Sequence, residues 1–162
     1  PHLLASFNMI DVNAPLELME LGLDKPMATA AYRFGVDTFN KFLYVGGWAN
    51  GINDRRAVDI LIKAYTEEFS ANEKTLLVLK INTAYSPVPV MQTISQLNLK
   101  PPSERGKMSL IEKPMSEQDL AGLYRVANTF VMPTKAEAFC LPVLESIWST
   151  TNTLLASWAS PM

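Results

Sequence analysis

The sequence predicts an α/β fold, a parallel sheet flanked by helices. Three observations carry this. From residue 42 onward, short apolar runs alternate with stretches whose apolar residues recur every three or four positions, the pattern of successive βαβ units. The apolar runs are rich in β-branched and aromatic residues, as strands buried on both faces require. The chain has 162 residues, 48% hydrophobic and 19% charged, which excludes a disordered chain and allows a real core.

The elements follow in order. Residues 1–10 show no clear period. Residues 15–21 read as a short helix with Asn13 as cap, Pro15 in its first turn, and Gly22 and Pro26 to end it. Residues 27–34 fit strand or helix equally, and 35–38 a turn. Residues 42–46 (FLYVG) are a buried strand and 49–54 a loop. Residues 55–69 are the best helix, with Val58, Leu61, Ile62, Tyr65 and Phe69 on one face. Residues 76–81 are a strand, 87–97 a weaker helix, 100–107 a loop and 108–111 a strand. Ser116 and Asp119 form a capping-box-like start to the next helix, with Leu120, Leu123, Tyr124 and Ala127 inward. A strand at 129–132 ends at Pro133. Residues 141–148 are a helix with Pro142 near its first position, and 154–156 begin a last strand. Crossovers in such a sheet are right-handed, and ligands bind at the carboxyl ends of its strands.

Composition excludes several functions. Cys140 is alone, so no internal disulfide forms. The single histidine, His2, leaves no internal His for a metal site or a Ser-His-Asp triad. No apolar run approaches the roughly 18 residues of a membrane span, and no signal-peptide pattern is visible, so the expectation is a cytoplasmic protein without a transmembrane segment. A net charge of −2 argues against nucleic acid as a partner. Glycine is scarce, 7 in 162 residues, about 4% against an average near 7%.

Two strand-to-helix loops carry the chemistry. In 48–61, Arg55 and Arg56 sit at the expected start of the long helix, where guanidinium groups and free N–H groups favour the same anion. A solvated first turn is the plain alternative. In 133–146, Glu137 lies just past a strand and Glu145 about one turn into the next helix, eight positions on. The stretch 138–141 between them, Ala138, Phe139, Cys140 and Leu141, brings backbone N–H groups to a helix N-terminus. Carboxylates there can accept hydrogen bonds from sugar or ribose hydroxyls. The alternative is two surface glutamates. Cys140 has two readings, a small residue or a thiol activated by the helix N-terminus. Trp48, Trp148 and Trp158 read as packing residues.

The run EAFCLPVLES at 137–146 resembles the EX7E signature of retaining glycosyltransferases of the GT-B fold, in their C-terminal, nucleotide-sugar-binding domain. FLYVGGW followed by RRAVDILIKAYTEEF is similar to the first strand, loop and helix of that domain. GVDT at 35–38 resembles the interdomain segment, SEQDLAGLYRVANTFVMPT the helix and strand leading into the signature, and SWASP at 157–161 the loop after the next strand. The resemblance covers about residues 35–162 and implies a Rossmann-like domain, as in the C-terminal half of a GT-B fold. Residues 1–34 would be a remnant of a preceding domain or hinge.

The resemblance also implies roles. Arg56, with Arg55 beside it, would contact the donor phosphates. Glu137 would stand near the donor sugar, as the catalytic glutamate, and Glu145 at the ribose hydroxyls. Ala138, Phe139, Cys140 and Leu141 would lie along the pyrophosphate and sugar. Lys80 lies near a strand end in a similar run. The implied activity is sugar transfer with retention from a UDP- or GDP-sugar to an unspecified acceptor, with no cofactor or metal. The expectation is a fragment, starting at Pro1 and stopping at Met162 before the closing helices, with little activity alone. Departures are concentrated at glycines. Gly47 stands where many members have arginine, and Ala57, Ala138, Cys140, Thr150 and Ser160 stand where they usually have glycine. Those departures leave a second expectation, a degenerate, non-catalytic nucleotide-binding or interaction module.

Overall fold

A computed structural model of the chain describes residues 7–10, 39–137, 140–149 and 151–155. The expected helix at 15–21, the stretches 27–34 and 35–38, Ala138, Phe139, Thr150 and the 157–161 loop with Trp158 lie outside the described residues.

Six strands form one sheet. They are β1 (Phe7–Ile10), β2 (Asn40–Gly46), β3 (Thr75–Ile81), β4 (Lys107–Ile111), β5 (Thr129–Met132) and β6 (Asn152–Leu155). Their spatial order is β1-β4-β3-β2-β5-β6. The five strands β2 to β6 run parallel, and β1 adds antiparallel to β4, pairing Phe7 with Ile111. The chain steps from β2 through β3 to β4, then crosses back to lay β5 and β6 on the other side. Strand order therefore reverses between β2 and β5. In open α/β sheets, ligands bind at that reversal, beyond the carboxyl ends of the strands.

The helices are α1 (Val58–Glu68), α2 (Val90–Ser95), α3 (Glu117–Val126) and α4 (Leu141–Trp148). Strand side chains alternate between faces, so ring contacts show which face each helix covers. Phe42 stacks on Tyr65 and Phe69, which puts α1 on the Phe42 face. Phe130 packs on Tyr124 at 5.6 Å between ring centres and lies in register with Leu43, so α3 covers the opposite face. Ser146 of α4 hydrogen-bonds Thr153, itself in register with Phe130, so α4 shares the α3 face. The core between these layers holds Leu43, Tyr44, Leu77, Leu79, Leu110 and Phe130, all essentially inaccessible. Every residue of β3 is buried, as a central parallel strand requires.

The sequence expectations at 42–46, 76–81, 108–111 and 129–132 match strands, and the expected helix at 141–148 matches α4 to the residue. Six details differ. The helix expected at 87–97 is shorter, Val90–Ser95, and the last strand begins at Asn152 rather than at 154. Strand β1 falls in a segment whose sequence shows no period; its four residues FNMI are too few to display one. Helix α1 begins at Val58, so Arg55 and Arg56 stand in the turn before it rather than on it. Ser116 Oγ accepts from the Asp119 N–H at 3.1 Å and donates to the Asp119 carboxylate at 2.7 Å. The shorter Asp closes on the hydroxyl, where the longer side chain of a full capping box returns to the backbone. Trp148, expected to pack, is 90% exposed. Ser146 is the side of α4 held against the sheet, and two residues of helix turn Trp148 roughly 200° away from it.

Ala57 explains the late start of α1. It is the helix N-cap, with φ 54 and ψ 34, and is completely buried. An L-residue in this left-handed region costs about 1–2 kcal/mol relative to its ordinary conformation, and glycine escapes that cost. Losing the buried methyl group returns part of it, about 0.8 kcal/mol. Ala57→Gly is therefore expected to stabilise the chain by about 0.2–1.2 kcal/mol. Urea unfolding checks this; a lower midpoint for the glycine variant would show that methyl packing outweighs strain.

Candidate functional site

The β2–α1 loop is held by buried polar contacts. Trp48 is fully buried, as its packing role anticipates, and its indole N–H donates to the Gly51 carbonyl at 2.6 Å. The Trp48 N–H donates to Ser86 Oγ at 2.7 Å, and the Tyr44 hydroxyl donates to the Gly47 carbonyl at 2.9 Å. Asp54 accepts from the backbone N–H groups of Asn50 and Arg56 at 2.9 and 2.8 Å. This turn aims the two arginines across the carboxyl end of the sheet.

Gly46 at the end of β2 and Gly47 after it leave room that side chains would fill. A Cβ at Gly46 would stand 2.6 Å from the Tyr44 hydroxyl and 2.9 Å from Arg56 Nη1. A Cβ at Gly47 would stand 2.8 Å from Tyr85 Cβ, because the short 3-10 turn Thr83–Tyr85 packs directly over it. Position 47 therefore has no space for an arginine.

The second loop meets the first at the strand reversal. The Arg55 carbonyl accepts from the Lys135 N–H at 2.7 Å and from Thr134 Oγ1 at 3.3 Å. Arg55 Nη1 donates to the Glu137 carboxylate and to the Ala136 carbonyl, both at 2.9 Å. Arg56 Nη2 lies 3.9 Å from the other Glu137 oxygen. Three residues singled out from sequence, 82 positions apart at the extremes, thus form one cluster. The Arg55 side chain is 53% exposed and Arg56 only 22%. The Arg55 pair is screened by water and contributes little to stability.

A cavity of about 490 Å³ opens beside this cluster. Gly46, Arg56, Lys80, Glu112, Glu137 and Glu145 supply its polar and close-approach lining. Cys140 and Leu141 border it where α4 begins, whereas Arg55 acts from outside through Glu137. Glu145 accepts from the Tyr124 hydroxyl at 2.9 Å. Burial pushes the Tyr124 phenol well above its ordinary range, and the Glu145 carboxylate pushes it further. Tyr124 therefore stays a neutral donor and fixes one Glu145 oxygen. Burial also raises the Tyr44 phenol, against an opposing pull from Arg56.

Cys140 caps α4 with φ −106, an ordinary conformation, so its Cβ adds no backbone strain. The activated-thiol reading is reversed. Burial raises the thiol pKa, Glu137 adds to the rise, and the hydrogen bond to the Val143 backbone offsets only part of it. Among the residues expected to replace glycine, Ala57 is the described one that stands at positive φ.

Two lining residues had little or no weight in the sequence reading, Lys80 and Glu112. Lys80 is 7% exposed, and burial pulls its pKa down, against an opposing pull from Glu112. The legible signal is a lysine inside the apolar strand TLLVLKI. Glu112 follows β4 with nothing in its local sequence to mark it. Among the described residues, no group of His, Cys, Asp and Glu could hold a metal ion, and no helix is long and apolar enough to cross a membrane.

No protein-family model matches the sequence, and no curated protein matches it. Solved structures share its fold. A sucrose-phosphate synthase from Thermosynechococcus elongatus aligns with a TM-score of 0.58 at 20% identity, over 85% of this chain and 33% of that one. A structure described as trehalose-6-phosphate from E. coli bound with UDP-2-fluoro glucose aligns with a TM-score of 0.60 at 10% identity, over 83% and 33%. A UDP-forming α,α-trehalose-phosphate synthase from Burkholderia xenovorans, in complex with glucose-6-phosphate, gives 0.55 at 15% identity, over 88% and 35%. The chain spans about a third of the length of each. At these identities the likeness is one of fold, the Rossmann-like arrangement of GT-B glycosyltransferases.

Proposed function

We propose that this chain is the donor-binding domain of a retaining GT-B glycosyltransferase, taking a UDP- or GDP-sugar whose sugar passes to an acceptor. The observation that carries the reading is the convergence of Arg55, Arg56 and Glu137 at the strand reversal, beside a cavity that Glu145 also lines. In this reading the donor diphosphate lies against Arg56, with Arg55 at the rim. The N-terminus of α4 adds its partial positive charge to the same anion. Charge that develops on the departing diphosphate is met by groups already in place. Glu145, with one oxygen held by Tyr124, offers the other to the ribose hydroxyls. Glu137 turns from the arginines toward the sugar once phosphate takes its place. No cofactor is required. One of the solved structures that share the fold is described with UDP-2-fluoro glucose and another as a UDP-forming synthase, which supports a nucleotide-sugar donor.

One observation favours a second reading, a non-catalytic nucleotide-binding or interaction module: both arginines already face the Glu137 carboxylate. Calorimetry of the purified chain with UDP, GDP and their sugars tests the donor site. One base series is expected to bind, and no binding by a folded sample would sink the donor-site reading. Binding without transfer, measured on the full-length open reading frame with candidate acceptors, would select the second reading.

A further inference from the structure

Lys80 is the cavity residue whose burial lacks an explanation. Its ammonium carries three donors. Its hydrogen bond goes to the Ile81 carbonyl at 3.3 Å. Among the described residues, no carboxylate lies within salt-bridge distance of it. Lys80 is 7% exposed as a residue, and an ammonium held away from bulk water and only partly hydrogen-bonded is costly to keep. Its direction is set by the sheet. Lys80 is in register with Val45 and shares a face with Val78 and Leu43, the face covered by α3 and α4. Arg56 reaches the cavity from the other side, over the position a Gly46 Cβ would take. The two cations therefore approach one cavity from opposite faces of the sheet edge.

The carboxylates lining the same cavity do not complete the ammonium. Glu137 is taken by the arginines, Glu145 accepts from Tyr124, and Glu112 attracts Lys80 only from beyond contact distance. We infer that Lys80 contacts the ligand's anion, gripping the phosphate of a bound nucleoside diphosphate from the face of the sheet opposite Arg56. The identity of that ligand rests on the donor-site reading above; the anion contact itself does not. A chelating pair of this kind would also favour a diphosphate over a nucleoside that carries no phosphate.

Calorimetry with inorganic pyrophosphate, with UDP and GDP, and with uridine and guanosine separates the parts. Lys80→Met keeps the length of the side chain and removes its charge, so the fold is expected to survive with unchanged or higher melting temperature. Its affinity for pyrophosphate and for the preferred diphosphate should fall about tenfold or more, with nucleoside affinity unchanged. Lys80→Gln serves as a second variant and should show the same loss. Wild-type affinity for pyrophosphate in a folded variant would overturn the inference, even where nucleotides bind. Pyrophosphate binding that depends on Lys80, with no nucleotide bound by the wild-type chain, would keep the inference and sink the nucleotide-sugar reading. Failure of every probe to bind wild type would sink both.

Discussion

Replacing Arg56 by alanine is expected to cut affinity for a nucleoside diphosphate by about ten- to a hundredfold, and replacing Arg55 by less than about fivefold. The difference comes from where the two guanidinium groups stand. Arg56 lines the cavity with its side chain 22% exposed, so hydrogen bonds to a phosphate bound as proposed would form largely out of water. A charge-assisted hydrogen bond in that setting contributes about 1.5–3 kcal/mol, and each 1.4 kcal/mol is about tenfold in affinity. Arg55 is 53% exposed and outside the lining. Its long-range attraction is screened and falls further with salt. Calorimetry of both variants at two salt concentrations checks the ordering. Equal losses for the two would mean that the anion sits outside the cavity, on the exposed side of the cluster.

That ordering was not readable from sequence, where Arg55 and Arg56 are adjacent and equivalent. The alternation of apolar runs and helical periods was readable, because β3 and most of β2 are buried and such strands are mainly apolar. The juxtaposition of 55–56 with 137 was readable only through topology: a parallel sheet places both loops at one end, and a strand reversal places them side by side. What escaped depends on conformation at single residues. Ala57 at φ 54 ends the turn and starts α1 three residues late; alanine itself does not signal a left-handed backbone, and only the resemblance, with glycine usual at this position, hints at it. Lys80 was visible as an anomaly in an apolar strand, but its direction needed the register with Val45 and the placement of α3. Trp148 failed for the opposite reason, since a large apolar side chain argues for burial while its place on the helix turns it away from the sheet.

Glu137→Gln should move affinity and turnover in opposite directions. The carboxylate now holds Arg55 at 2.9 Å and lies 3.9 Å from Arg56, so a diphosphate bound as proposed would have to displace it before both arginines are free. The displaced pair is partly exposed and worth about 0.5–1 kcal/mol. Glutamine has the same shape without the charge, and its affinity for the free diphosphate should rise about two- to fivefold, by the same amount of energy. If Glu137 also stabilises charge at the donor sugar, transfer by the full-length protein should fall about a hundredfold or more, since a group stabilising the transition state is lost. The combination is diagnostic. A purely structural glutamate would lower affinity on removal, because the arginines would lose the contact that orders them. A glutamate that only competes with phosphate would raise affinity and leave turnover intact. Only a residue that shields the arginines when the site is empty and faces the sugar when it is filled raises the first and lowers the second. Tighter binding with unchanged turnover would therefore remove Glu137 from the chemistry while supporting the proposed anion site at Arg56.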